Sequence, residues 1–174
     1  MRIYLVGYMG SGKTTLGRRL ARLTGLSFID LDKYIEERHC RTVQQLFAEE
    51  GEELFRRYER KALEEVSEYD DVVVSTGGGA PCFFDNMELM NRTGTTLFLD
   101  IPPGLLTARL LRSRTERPLI KGKSPEELRA FIADSLAKRR PFYEMASVTV
   151  TRPETPPEEI LRMISRHMSG SGGG

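Results

Sequence analysis

The stretch Gly7-Tyr8-Met9-Gly10-Ser11-Gly12-Lys13-Thr14-Thr15 constrains this chain most, because a glycine, four free positions and then Gly-Lys-Thr form a phosphate-cradling pattern. Such a pattern is meaningful between a strand and a helix. Ile3-Tyr4-Leu5-Val6 is a short apolar run of β type, and Leu16, Leu20 and Leu23 recur at helical spacing after the loop. Glycines let the backbone curl so that successive N–H groups face one set of phosphate oxygens, and a helix opening near Lys13 adds its positive end. Lys13 is then placed for the β- and γ-phosphates of a nucleotide and the Thr14 hydroxyl for Mg²⁺. Gly10, Ser11, Gly12 and Thr15 are the other candidate nucleotide contacts.

At 174 residues the chain has room for one domain, expected over residues 1–168, with 169–174 a disordered tail of Ser and Gly. A net charge of +1 with 29% charged residues gives no basic field, so nucleic acid is not an expected partner. No apolar run reaches the roughly 18 residues of a spanning helix, and no basic leader precedes the first strand. A cytoplasmic monomer without a membrane partner is the expectation. Cys40 and Cys82 are far apart, lack zinc-site spacing and are expected to be reduced thiols.

Gly25 reads as the C-cap of the first helix, followed by a strand over residues 26–31 carrying Phe28 and Ile29. Asp30 and Asp32 stand at its end, where a parallel sheet gathers ligands, though either could instead cap the helix over residues 33–38. Residues 42–68 are helical with a break near Gly51, and Arg56, Arg57 and Glu59 stand out within them. Val72-Val73-Val74-Ser75 suits a strand buried on both faces, and Gly77-Gly78-Gly79 at its end permits a loop to lie directly against a small ligand. A helix over 85–91, a strand over 95–99 and a helix over 102–111 follow. The next residues, 112–124, are basic and aperiodic, with Arg112, Arg114, Arg117, Lys121 and Lys123, and read as a mobile flap. Ser124-Pro125 starts a helix that Pro141 is expected to end, leaving Arg139 and Arg140 at its C-terminal turn, where they could simply compensate the dipole. A strand over 146–150 and a helix over 156–167 close the pattern. Alternating strands and helices imply an α/β fold with a mostly parallel sheet.

Five further elements, in order, are Asp30-Leu31-Asp32, Phe55-Arg56-Arg57-Tyr58-Glu59, Gly77-Gly78-Gly79, Arg117-Pro118-Leu119, and Arg139 ahead of Pro141-Phe142-Tyr143. With the phosphate loop, this set resembles the shikimate kinases over residues 2–164. The resemblance implies a P-loop fold of three layers, α/β/α, with a five-stranded parallel sheet in the order 2-3-1-4-5. It implies ATP-dependent phosphorylation of the 3-hydroxyl of shikimate, a step of aromatic amino acid biosynthesis. Carried over residue by residue, Asp32 holds the attacking hydroxyl, Arg56 and Arg139 grip the substrate carboxylate, Glu59 orients Arg56, and Gly77, Gly78 and Gly79 lie against the substrate. Planar, always-charged guanidinium groups suit a carboxylate held from two sides. The resemblance places Thr14, Asp30 and Ser75 around Mg²⁺, Arg117 on the transferred phosphoryl group, and Arg109 or Arg112 together with Arg152 at the adenine.

In such a reaction the transition state is loose, and positioning with charge neutralisation by Lys13, Mg²⁺ and Arg117 supplies most of the catalysis. Asp32, taken with an ordinary carboxylate pKa of about 4, would orient the hydroxyl and accept its proton late. Two alternatives share the phosphate loop: a related small-metabolite kinase, such as a gluconate kinase, and a nucleotide-switched binding protein. The first has no need for Arg56, Arg139 and the glycine triplet together, and the second needs a water-positioning residue and a partner surface, neither of which is recognisable in the sequence.

Overall fold

The apolar run ahead of the phosphate loop becomes the central strand of a parallel sheet. In the computed structural model, which describes residues 1–113 and 121–172, β1 (Arg2–Val6) lies between β3 (Val72–Ser75) and β4 (Thr95–Leu99). Outside them pair β2 (Ser27–Asp30) and β5 (Val148–Val150), giving the order β2-β3-β1-β4-β5 that the resemblance implies. Every pairing is parallel. The helices are α1 (Lys13–Thr24), α2 (Leu31–His39), α3 (Val43–Val66), α4 (Asn86–Thr93), α5 (Pro103–Arg112), α6 (Pro125–Tyr143) and α7 (Pro157–Ser171). A 3-10 turn, Ala80–Cys82, follows the glycine triplet.

Ile3 to Val6 are wholly buried and Val72 to Val74 nearly so, as expected for strands covered on both faces by helices. Register then sets the functional edge. Ser75 stands level with Leu5 on one side and Asp30 on the other, so the carboxyl ends of three adjacent strands finish together. Thr76 secures the exit from β3, donating to the Leu5 carbonyl from its backbone N (3.1 Å) and its hydroxyl (2.9 Å).

The helix boundaries revise several expectations. α2 begins at Leu31 directly after β2, because the Asp30 carboxylate accepts from Lys33 N at 3.2 Å and caps the helix. α3 opens with a reciprocal cap between Thr42 and Gln45 and kinks at Gly51 (φ 83°, ψ 168°), where the sequence places its break. Pro141 does not end α6: the helix carries it and continues to Tyr143. A proline within the last turn loses one hydrogen bond, while continuing the helix buries the Tyr143 ring against Phe98, centroids 5.1 Å apart. α7 likewise runs through Ser169, Gly170 and Ser171, three residues into the expected tail. Of the expected flap, Arg112 ends α5 and Ser124 caps α6, whereas residues 114–120 lie outside the described residues. Among the described residues no helix is long and apolar enough to cross a membrane.

α1 seats on the sheet through Gly17. A Cβ there would fall 2.6 Å from Phe28 Cε2 and 3.1 Å from Leu5 Cδ1. Gly17→Ala should therefore destabilise the protein by about 1 to 3 kcal/mol through overpacking, although alanine is the better helix former by roughly 1 kcal/mol. Denaturant midpoints check this. A more stable variant would mean that Phe28 yields freely and that helix propensity wins.

Candidate active site

The phosphate loop closes into a turn through two glycines in the left-handed region, Gly10 (φ 80°) and Gly12 (φ 96°), the latter being the N-cap residue of α1. No acidic residue occupies the first turn of α1, so its own sequence leaves the positive end of the helix uncompensated. Lys13 is buried, and its ammonium donates to the carbonyls of Gly7 (2.6 Å) and Tyr8 (3.0 Å), which holds it over the loop.

Two cavities meet at this loop. One, of about 340 Å³, runs between the loop, Arg109 of α5 and the segment carrying Arg152 and Pro153. The other, of about 490 Å³, is walled by Lys13, Thr14, Asp30, Asp32 and Ser75, with Gly77 and Gly78 behind. Gly12 and Thr15 belong to both walls, so a ligand can thread from one to the other past the loop. Arg109 Nη1 donates to the carbonyls of Gly10 (3.2 Å) and Ser11 (3.1 Å), tying α5 to the loop. Of the two arginines that the sequence leaves open for this position, Arg109 lines the first cavity, while Arg112 is exposed at the end of α5 and is not part of that wall. Arg152 lines it too, paired with Glu159 at 2.7 Å.

The acids at the strand ends divide the roles that the sequence leaves open. Asp30 caps α2, and Asp32 lies one residue inside that helix, facing the glycine triplet: a Cβ on Gly77 would sit 3.0 Å from Asp32 Oδ1. Burial pushes the Asp32 carboxyl up, Asp30 pushes it the same way, and Lys13 and Arg56 pull against them. The ordinary acidity expected of Asp32 is thus overturned, because the side chain is set deep beside a second carboxylate.

Beyond Gly51, α3 turns one face toward the triplet, carrying Glu52, Arg56 and Glu59 at helical spacing. Arg56 is 9% exposed and Glu59 only 1%, with Arg56 Nη1 to Glu59 Oε1 at 2.9 Å and Nη2 to Glu52 Oε1 at 3.4 Å. The guanidinium carbon stands 4.2 Å from the centroid of the Phe83 ring, with Phe55 and Phe47 at 5.4 and 5.6 Å. Arg56 Nε is buried and makes no hydrogen bond among the described residues. From the far side, Arg139 of α6 lies over the Tyr8 ring at 5.3 Å. The triplet is where these groups converge. Added Cβ atoms would meet Asp32 and Glu59 at Gly77, Arg139 Nη1 at Gly78 (3.2 Å) and Arg56 Nη2 at Gly79 (2.5 Å). None of the three glycines has a positive φ, so what the triplet supplies is space rather than unusual backbone conformation.

Arg57, flagged beside Arg56, is exposed and pairs with Glu53 at the surface. Arg140 points away from Arg139 and binds Asp100 through two contacts of 3.0 Å. Arg117 lies outside the described residues. The sequence reading gave no role to Tyr8, Phe83 or Tyr143, all of which touch the site. Tyr143 stands in the Pro141-Phe142-Tyr143 motif that the resemblance includes, but with Pro141 expected to end the helix nothing sets it one turn beyond Arg139, and nothing local marks Phe83.

Comparison with known proteins places this geometry among close relatives. The family model described as "Shikimate kinase" matches residues 9–169. A shikimate kinase of Parabacteroides distasonis is 62% identical over 148 residues, covering 85% of this chain and 86% of its own. The crystal structure of shikimate kinase from Bacteroides thetaiotaomicron superposes with a TM-score of 0.86 at 49% identity, covering 97% of each chain. The Acinetobacter baumannii enzyme, solved in complex with shikimate, gives 0.84 at 34% identity, covering 99% of this chain and 95% of its own.

The Glu59 carboxyl is pushed up to about 7 by burial, against the pull of Arg56. An acid whose pKa is higher folded than unfolded adds stability below its unfolded value of 4.5 and loses it as pH rises through about 7. The stability of the parent relative to Glu59→Gln should therefore fall by on the order of 3 kcal/mol between about pH 4.5 and pH 7.5. Denaturation of both proteins across that range measures the difference, and a flat difference would contradict the shifted acid.

Proposed function

The chain belongs to the shikimate kinase family, and we propose that its two joined cavities bind ATP and shikimate for transfer of the γ-phosphoryl group to the 3-hydroxyl, giving shikimate 3-phosphate and ADP. One observation carries the assignment of roles: Asp32, Arg56, Glu59 and Arg139 converge on Gly77-Gly78-Gly79, and Asp32, Gly77 and Gly78 share a cavity with Lys13. A small hydroxy acid needs this combination, with cations for the carboxylate at one end and an acid beside a phosphate-binding lysine at the other. A gluconate kinase or a nucleotide switch gives no reason for a buried and a half-buried arginine, Arg56 and Arg139, against a side-chain-free loop.

In this reading Arg56 and Arg139 clamp the shikimate carboxylate, Arg56 held in place by Glu59 and bringing a buried N–H with no partner among the described residues. Asp32 orients the 3-hydroxyl. Its raised pKa makes it a better late proton acceptor than an ordinary aspartate. Lys13 and the N-terminus of α1 neutralise charge on the phosphates. Arg109 and Arg152 border the cavity for the base, and Arg117, assigned from the resemblance alone, contacts the transferred group.

Thr14, Asp30 and Ser75 present hard oxygen donors to the same cavity as Lys13, which suits Mg²⁺, an ion that takes one or two carboxylates and fills its shell with water and phosphate oxygens. Among the described residues no group of three or more His, Cys, Asp or Glu could hold a metal, which fits an ion arriving with the nucleotide. Bound there, Mg²⁺ would supply charge neutralisation between phosphate oxygens. We further propose that the protein acts as a cytoplasmic monomer.

ATP turnover with and without shikimate, in the parent and two variants, tests the assignment. Arg56→Ala should weaken shikimate binding about 10- to 150-fold, the loss of one charged hydrogen-bonding group, with ADP binding unchanged. Asp32→Asn should keep shikimate affinity and lose turnover, since an amide can bond the hydroxyl but not take its proton. Calorimetry on each variant separates the two effects. Parent-like shikimate affinity in Arg56→Ala would remove the clamp.

A further inference from the structure

Tyr143 ends α6 one turn beyond Arg139, its side chain wholly buried. Its hydroxyl donates to the Gly78 carbonyl at 2.5 Å, linking two segments 65 residues apart. Burial pushes the phenol up, so it stays protonated as a donor, against the pull of the Arg139 guanidinium, which also hydrogen-bonds the same hydroxyl. Gly78 in turn is the residue whose missing side chain lets Arg139 approach, a Cβ there falling 3.2 Å from Arg139 Nη1. Arg139 also lies over the Tyr8 ring of the phosphate loop. Hydroxyl, glycine carbonyl and guanidinium therefore form one packed unit at the junction of α6 with the triplet.

We propose that Tyr143 is a positioning residue for the transfer reaction: by bonding the Gly78 carbonyl it fixes the glycine loop against Arg139 and so sets the geometry of the carboxylate clamp. The proposal rests on that clamp reading. A phenylalanine would keep the ring and its contact with Phe98 while leaving the Gly78 carbonyl without this donor and the Arg139 guanidinium without its bond to the hydroxyl. The cost should appear in the step that uses Arg139, namely shikimate binding, and not in nucleotide binding, to which Tyr143 has no contact.

Steady-state kinetics on Tyr143→Phe, Arg139→Ala and the double variant test this. Tyr143→Phe should raise KM for shikimate by about tenfold, the loss of one buried hydrogen bond, with KM for ATP within about twofold of the parent. In the Arg139→Ala background the same change should have little further effect, because the residue acts through that guanidinium. 4-Aminophenylalanine at position 143, which restores a donor on the same ring, should return KM toward the parent. If Arg139→Ala leaves KM for shikimate unchanged, the clamp itself fails and the proposal with it. If Arg139→Ala raises KM but Tyr143→Phe does not, or raises KM for both substrates alike, the clamp stands and the role of Tyr143 is overturned. Should Tyr143→Phe fold poorly, the aminophenylalanine protein decides: parent-like KM for shikimate supports the proposal, and a raised KM in a folded protein overturns it.

Discussion

The substrate end of this site depends on one packing constraint, the absence of side chains at three consecutive positions. Two arginines and two acids from α2, α3 and α6 approach Gly77-Gly78-Gly79 so closely that a methyl group at Gly79 would stand 2.5 Å from a guanidinium nitrogen. Close-packed interiors do not absorb such overlaps. The Arg56 guanidinium could not simply retreat, because Phe83 lies 4.2 Å from it and Phe55 and Phe47 stand close by. The glycines thus decide where the charges stand, and the charges decide what ligand the cavity can take.

Holding those charges out of water is costly, and the arrangement offsets that cost only in part. Arg56 and Glu59 satisfy one another, yet burial still drives Glu59 toward its neutral form and raises Asp32 beside it. A buried ion pair of this kind contributes little to stability compared with apolar packing. The fold is held instead by the sheet, where β1 from Ile3 onward and the whole of β3 are buried and the apolar faces of the helices close over them. Stability and function are therefore supplied by different parts of the molecule. The apolar layers fix the strand ends, and those ends position an expensive cluster that the layers can support.

Sheet topology joins the two halves of the site. The chain leaves β1 through the phosphate loop and returns first on the β3 side and later on the β4 side, so the loop emerges where the strand order reverses and a crevice opens. Level register of Leu5, Ser75 and Asp30 brings the Ser75 and Asp30 oxygens into the same cavity as Lys13. Arg109 reaches across from α5 to two loop carbonyls, so the wall of the first cavity and the curl of the loop are braced by one side chain.

Much of this was legible in the chain. The phosphate loop, the strand-helix alternation and the break at Gly51 follow from local spacing, because turns, caps and amphipathic faces are decided by neighbours within a few residues. The acids at the end of β2 and the glycine triplet at the end of β3 are legible from their positions, whereas the strand order and the roles given to Asp32, Arg56 and Arg139 come from a resemblance of motifs. Long-range contact decided the rest. The sequence alone cannot show that α6 continues past Pro141 because Tyr143 finds Phe98 and Gly78, that Arg109 rather than Arg112 lines the cavity beside the loop, or that Arg57 stays at the surface while Arg56 is buried. Nor can it show that Asp32 is less acidic than an ordinary aspartate, since acidity depends on burial and on charges brought near by folding. By itself the sequence determined the elements and the inventory of chemical groups. Only the tertiary structure decided which of those groups lie within bonding distance, because backbone propensity acts over a few residues whereas desolvation and hydrogen bonding act between whatever the fold makes neighbours.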